Sequence, residues 1–169
     1  MDRIARHPSD LAARVRAVLA LLAVAGLGSA CGGTAASPSV AAPATSTVKV
    51  TLQEFAVVPD VASVPAGTVT FIATNTGPDD VHELVVIKTD LGLLDLPTDA
   101  DGKVLEDGAG MEVIGEVEDV EVGASKEFVD VLAAGRYLLI CNILQTEPDG
   151  SLEAHYKMGM VASFEVTAP

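Results

Sequence analysis

Four side chains in this sequence combine the types and the placement that a soft, redox-active metal ion requires. Cys141 ends a run of β-forming residues, His155 and Met160 follow around a turn into the next run, and His82 opens a separate run upstream. Copper centres that exchange one electron combine a Cys thiolate, two neutral imidazoles and a weak axial thioether. The sequence therefore predicts that His82, Cys141, His155 and Met160 bind one copper ion, which cycles between Cu(I) and Cu(II).

The scarcity of these residue types supports this prediction. After residue 30 the chain has two histidines, His82 and His155, and Cys141 is the one cysteine besides Cys31. A lone His in a β-protein is generally a surface residue or a satisfied core residue, and a lone buried Cys behaves as a small hydrophobe. The order and placement of the set, rather than any single residue, therefore predict the metal site.

Strand parity leaves the thioether ligand open between two methionines. In the last predicted strand, 160–166, Met160 shares a face with Ala162, Phe164 and Val166. Met158 has the same parity. Glu83 and Asn142, next to His82 and Cys141, are candidates for orienting the ligands.

The first thirty residues are typical of an export signal. Four arginines precede the run of eleven residues 17–27, which leads into Gly28, Ser29 and Ala30. A run of this length is about half of the roughly 20 apolar residues that a helix needs to span a bilayer. We therefore expect residues 1–30 to be a signal peptide that is absent from the mature protein.

Cys31 follows these small residues directly, as in the lipobox of bacterial lipoproteins. The resemblance implies a diacylglycerol thioether on Cys31, although Leu27 lies one position earlier than usual. The next residues, up to 47, are almost wholly small or Pro, so residues 31–47 are predicted to be the lipidated Cys and a flexible linker. The protein would then be lipid-anchored to the outer face of the cell membrane. Cleavage without lipidation is the alternative.

Residues 48–169 are predicted to form an all-β Greek-key β-sandwich of about seven to eight strands. Two segments, 48–53 and 68–75, alternate apolar and polar residues with the period of a strand that has one buried face. Gly, Pro, Asn and Asp interrupt the β-rich runs, which favours antiparallel strands. The remaining predicted strands are 81–88, 117–122, 126–132, 135–141 and 160–166.

A long acidic stretch, 89–116, separates two of these strands. Its length and charge predict either a functional excursion or a mobile loop. Asp99, Asp101 and Gly102 invite comparison with a calcium-binding loop. The spacing disagrees, because Pro97 and Gly108 would then occupy the first and last ligand positions.

The charge balance limits the partners. The formal charge is −14 for the whole chain and −16 after residue 30, where 6 Lys and Arg face 22 Asp and Glu. Nucleic-acid binding is not expected, because it depends on Lys and Arg neutralising phosphates. The acidic surface suits partner proteins with basic docking surfaces, and the alternative is a surface that is merely solvated.

Together these motifs resemble the cupredoxin family, over roughly residues 48–167. The segments that carry the resemblance are 75–82, which ends in His82, the Cys-Asn-Ile sequence that starts at Cys141, and 155–166, in which Gly159 precedes Met160. The resemblance implies the sandwich fold and the four copper ligands, with Met160 preferred over Met158. Thirteen residues separate Cys141 from His155, where the family usually has a handful.

The function implied is that of a membrane-anchored, extracytoplasmic carrier of single electrons between redox partner proteins. A complete ligand set leaves no position for a substrate, so catalysis is not expected. Two alternatives stay open. One is copper binding for delivery, storage or sensing, and the other is a metal-free interaction module.

Overall fold

The computed structural model describes residues 43–169, a chain segment built from strands without a helix. The predicted signal peptide, Cys31 and most of the predicted linker lie outside the described residues. Within the described part, no helix is long and apolar enough to cross a membrane. The strands are β1 (Ala44–Gln53), β2 (Ala56–Pro59), β3 (Ser63–Pro65), β4 (Gly67–Asn75), β5 (His82–Thr89), β6 (Met111–Val120), β7 (Ser125–Leu132), β8 (Gly135–Ile140), β9 (Leu144–Thr146), β10 (Leu152–Ala154) and β11 (Val161–Thr167).

Two sheets form the sandwich. One has the strand order β2-β1-β4-β7 and the other β3-β11-β8-β5-β6, while β9 and β10 form a separate hairpin. The core between the sheets contains side chains from both, among them Val50, Phe71, Leu84 and Phe164. The predicted all-β sandwich is confirmed. The sheets are mixed rather than wholly antiparallel, because β1 pairs with β4, and β11 with β3, in parallel.

The clearest sequence patterns correspond to the most regular strands. In β4 every second residue is buried, including Val69, Phe71 and Ala73, and in β1 the same holds for Val48 and Val50. Burial of these faces supplies the main stabilisation of the sandwich, at roughly 1.5–3 kcal/mol for each large side chain.

The strand count and some boundaries differ from the prediction. There are eleven strands in the described part, because β2, β3, β9 and β10 are only three or four residues long and too short to show alternation. β1 begins at Ala44, so the last four residues of the predicted linker pair with β4 instead. β6 begins at Met111 rather than at residue 117, since its first half is only partly buried and lacks a two-residue period.

The acidic stretch folds back over the five-stranded sheet. Leu96 and Val104, from the segment 90–110, pack with Val85 and Ile87 of β5 in a second buried cluster on the outer face of that sheet. Tyr156 joins this cluster: its hydroxyl donates to the carbonyl of Leu93 (2.9 Å) and accepts from the N–H of Leu96 (3.1 Å). The segment 90–110, named the acidic excursion below, is therefore packed against the sheet, and β5 is buried on both of its faces.

Candidate metal centre

Three predicted ligand residues meet at one end of the sandwich. Nδ1 of His82 lies 3.2 Å from Nδ1 of His155, and Sγ of Cys141 lies 3.4 Å from Nδ1 of His155 and 3.8 Å from Nδ1 of His82. All three side chains are fully buried. These spacings suit ligand atoms of one metal ion whose bonds to nitrogen and sulfur are about 2.0–2.3 Å long.

Strand pairing explains why His82 and Cys141 are neighbours. His82 is the first residue of β5, Cys141 directly follows β8, and Val85 of β5 lies opposite Ile140 of β8 in an antiparallel pair. The turn before His82 is held by the buried Asn75, whose side-chain amide donates to the carbonyls of Asp80 (2.7 Å) and Val120 (2.8 Å). Both ligands therefore begin or end rigid elements rather than lying within mobile loops.

The long connection from Cys141 to His155 is a compact hairpin. Leu144 pairs with Ala154 across β9 and β10, and the N–H of His155 donates to the carbonyl of Ile143 at 2.9 Å. The additional residues therefore extend outward while the two ends of the connection stay adjacent. This is how His155 reaches the site despite the thirteen intervening residues.

Burial distinguishes the two methionines. Met160 is 0% exposed and packs in the same core cluster as Cys141, whereas the side chain of Met158 is 47% exposed. Two backbone bonds join Met160 to His155 and Cys141: its N–H donates to the carbonyl of His155 (3.0 Å), and its carbonyl accepts from the N–H of Cys141 (3.1 Å). Met160 lies just before β11 rather than within it.

The environment of Cys141 holds its thiol in the protonated state when no cation is present. Burial raises the pKa of Cys141 to about 12, and N–H groups of Glu83 and Ile143 offset this effect only in part. The N–H of Glu83 lies 3.4 Å from the sulfur.

Both histidines are kept neutral. Burial lowers the pKa of His82, although Glu54 and Asp80 act in the opposite direction. Burial and repulsion from His82 lower the pKa of His155. Neutral imidazoles are the form that binds a metal, and both Nδ1 atoms face the sulfur, so a thiophilic cation fits this donor set.

Glu83 and Asn142, the candidates for orienting the ligands, contact each other beside the predicted ligands. The N–H of Asn142 donates to the carboxylate of Glu83 (2.9 Å), and the Asn142 side chain bonds both the N–H (2.6 Å) and the carbonyl (3.0 Å) of Val104. Burial raises the pKa of Glu83 to about 7. A continuous set of contacts thus runs from the sulfur to the acidic excursion.

Sequence reasoning missed the residues that cover the histidines. Oε1 of Glu54, in the turn between β1 and β2, lies 3.6 Å from Nε2 of His82. The ring of Phe55 packs edge-on against His155, with 5.4 Å between ring centroids. No motif links this turn to residues 28 or 100 positions later, so only their proximity in the fold reveals it.

No protein-family model matches this sequence, and no curated protein matches it. Several solved structures, in contrast, are similar to this chain. Auracyanin from Roseiflexus castenholzii, reduced with dithionite, is 20% identical and aligns over 73% of this chain and 96% of its own, with a TM-score of 0.46.

Two further structures are similar to the same extent. Auracyanin A, a "blue" copper protein from Chloroflexus aurantiacus, is 21% identical over 73% of this chain and all of its own (100%), with a TM-score of 0.48. Rusticyanin from Thiobacillus ferrooxidans is 18% identical over 73% of this chain and 77% of its own, also with a TM-score of 0.48. The assignment of the metal centre rests on the side chains of this chain.

Proposed function

We propose that this protein carries single electrons on one copper ion bound by His82, Cys141, His155 and Met160. The observation that carries the proposal is the convergence of two imidazole Nδ1 atoms and one thiol, all fully buried and within 4.8 Å of one another. A thiolate with two imidazoles is a donor set that accepts both Cu(I) and Cu(II). The buried Met160, rather than the exposed Met158, supplies the weak axial thioether.

The chain itself supplies rigidity and an apolar environment. Copper bound there would accept and release one electron without proton chemistry at a substrate. His82 and Cys141 sit at the ends of paired strands, and His155 and Met160 are tied to each other and to Cys141 through the backbone. Ligands held in this way move little when the charge of the ion changes, and low reorganisation favours fast electron exchange.

Burial of the ligands also favours electron transfer over catalysis and copper delivery. The side chains of all four proposed ligands are fully buried, so no ligand position is open to a substrate. Copper delivery to another protein requires that partner ligands reach the ion, and this covered site is poorly suited to such exchange. An electron, in contrast, needs only a short path through the cover.

We extend the proposal to the location and partners of the protein. The support is the signal-like segment before Cys31, together with an acidic surface: residues 43–169 contain 22 Asp and Glu against 6 Lys and Arg. Several acids, among them Asp80, Glu147 and Glu153, lie on or beside the hairpin next to the centre, where Gln145 donates to both Asp80 and Glu147. A redox partner with a basic surface would dock there, with Cys31 anchoring the carrier to the membrane.

Lipidation and docking can be tested separately. Labelled palmitate should enter the wild-type chain expressed in bacteria and not a Cys31→Ala variant. Electron exchange of the mature domain with a cationic metal complex should slow as salt is added, and exchange with an anionic complex should speed up. Unlabelled wild-type chain would contradict the anchor, and a salt response of the opposite sign would contradict the docking surface.

A visible absorption titration tests the copper centre itself. The mature chain without Cys31, residues 32–169, is titrated with Cu²⁺ beside a Cys141→Ser control. We expect strong thiolate-to-copper charge-transfer absorption that saturates at one equivalent and is absent from the control. Copper binding without this absorption would favour a storage or delivery role, and no binding would favour an interaction module.

A further inference from the structure

The turn between β1 and β2 contacts the two histidines through adjacent residues. Glu54 lies beside His82, and Phe55 packs against His155. Glu54 also holds the segment that leads into His82, because its Oε1 accepts hydrogen bonds from the N–H groups of Asp79 (3.1 Å) and Asp80 (2.6 Å). One carboxylate thus touches both the imidazole and the backbone that delivers it.

Unsatisfied polar atoms mark the same place. Within residues 43–169, the buried side-chain nitrogen and oxygen atoms without a hydrogen-bond partner are Oε2 of Glu54, Nε2 of His82 and Nε2 of His155. Buried polar groups without partners are uncommon and call for an explanation. Two of the three belong to the Glu54–His82 pair, whose closest atoms are 3.6 Å apart.

The chemistry of imidazole gives this pair a role. A neutral imidazole carries one proton, and the nitrogen without the proton supplies the lone pair that binds a metal. A carboxylate beside Nε2 favours the proton on that nitrogen and leaves the lone pair on Nδ1. Nδ1 of His82 is the atom that faces Cys141 and His155.

We propose that Glu54 is a positioning residue, which holds His82 in the Nε2-protonated tautomer and directs its Nδ1 lone pair into the metal centre. The identity of the metal as copper rests on the proposed function above, whereas the tautomer does not. The negative charge of Glu54 also stabilises Cu(II) more than Cu(I). Removal of that charge should therefore weaken Cu(II) binding more than Cu(I) binding.

A Glu54→Gln variant tests this with little change in shape, since its amide oxygen still accepts from Asp79 and Asp80. Glu165→Gln is the matched control: Glu165 is an exposed acid on β11, opposite Arg136 in the strand register with β8 and five residues from Met160. Nitrogen-15 NMR of the metal-free mature chain at pH 8 reports the tautomer of His82. Wild type and the control should carry the proton on Nε2, and this preference should weaken in Glu54→Gln, whose amide oxygen carries no full negative charge.

The copper-loaded proteins supply the second measurement. Loss of an outer contact that orients a ligating His lowers metal affinity by about 10–100-fold. If Glu54→Gln weakens Cu(II) binding about tenfold more than Cu(I) binding, the midpoint potential rises by about 59 mV. The control should match wild type.

The outcomes separate the two ideas. In one case, wild type binds no copper but shows the Nε2 tautomer, with a weaker preference in Glu54→Gln. This result would contradict the proposed function and support the role of Glu54. In the opposite case, wild type and Glu54→Gln both bind copper with charge-transfer absorption, and they share the same His82 tautomer and the same midpoint potential. This result would overturn the role of Glu54 and leave the copper centre intact. A thermal melt of both variants checks that each is folded.

Discussion

Sγ of Cys141 lies 3.4 Å from Nδ1 of His155, although thirteen residues separate them along the chain. The β9–β10 hairpin makes this possible, because Leu144 and Ala154 pair at its base while residues 147–151 form a turn at its tip. The geometry of the ligands therefore does not depend on the length of the connection.

Shortening this hairpin should leave the metal centre intact. We replace residues 146–152 with Asn-Gly, a pair that favours the tight turn of a two-residue hairpin loop and retains the Gln145–Glu153 pair. The charge-transfer absorption should keep its wavelength and its one-to-one stoichiometry. Its loss from a variant that still melts cooperatively would show that the tip of the hairpin holds the site.

Copper binding should release a proton from Cys141. Because burial raises the pKa of this thiol to about 12, it is protonated at pH 8 in the metal-free protein and must ionise to bind. Apparent affinity should therefore rise about tenfold per pH unit between roughly pH 7 and 10. Calorimetry in two buffers of different ionisation enthalpy counts the protons: one for wild type and none for Cys141→Ser. An equal count in both proteins would argue against thiolate ligation.

Glu83 should destabilise the metal-free protein at alkaline pH. Its pKa is about 7 in the folded state and about 4.5 when exposed, so the folded state binds more protons between these values and stability falls as pH rises through them. Glu83→Gln keeps an acceptor for the N–H of Asn142. It should raise stability by about 3 kcal/mol at pH 8 and by less than about 0.5 kcal/mol at pH 4.5. Urea melts at both pH values measure this, and a gain of equal size at both would exclude titration as its cause.

Substitution of the two methionines should separate their roles. Met160→Leu removes a buried thioether at a stability cost below about 1.5 kcal/mol. It should shift both the visible spectrum and the midpoint potential, since the axial ligand tunes a copper centre of this kind. Met158→Leu, at an exposed position, is the matched control and should leave both unchanged. A response to Met158→Leu alone would reverse the assignment of the axial ligand.

Local patterns predicted the parts of the fold that depend on one buried face. Alternation in β1 and β4 is regular because each buries one side against the opposite sheet. β5 shows no such period, since Val85 and Ile87 are covered by the acidic excursion and Leu84 and Val86 by the core. A strand that is buried on both faces has apolar residues at consecutive positions, so its sequence does not alternate between apolar and polar residues.

Sequence alone identifies the residue types available for a metal after residue 31: two histidines, one cysteine, and a methionine separated from His155 by four residues. The tertiary structure decided which atoms converge, since Nδ1 rather than Nε2 of each imidazole faces the sulfur. It also decided that Met160 is buried and Met158 is not, a choice that strand parity could not make. The contacts of Glu54 and Phe55 belong wholly to the fold. They join residues far apart in the chain, and no local pattern encodes the packing of one turn over two distant rings.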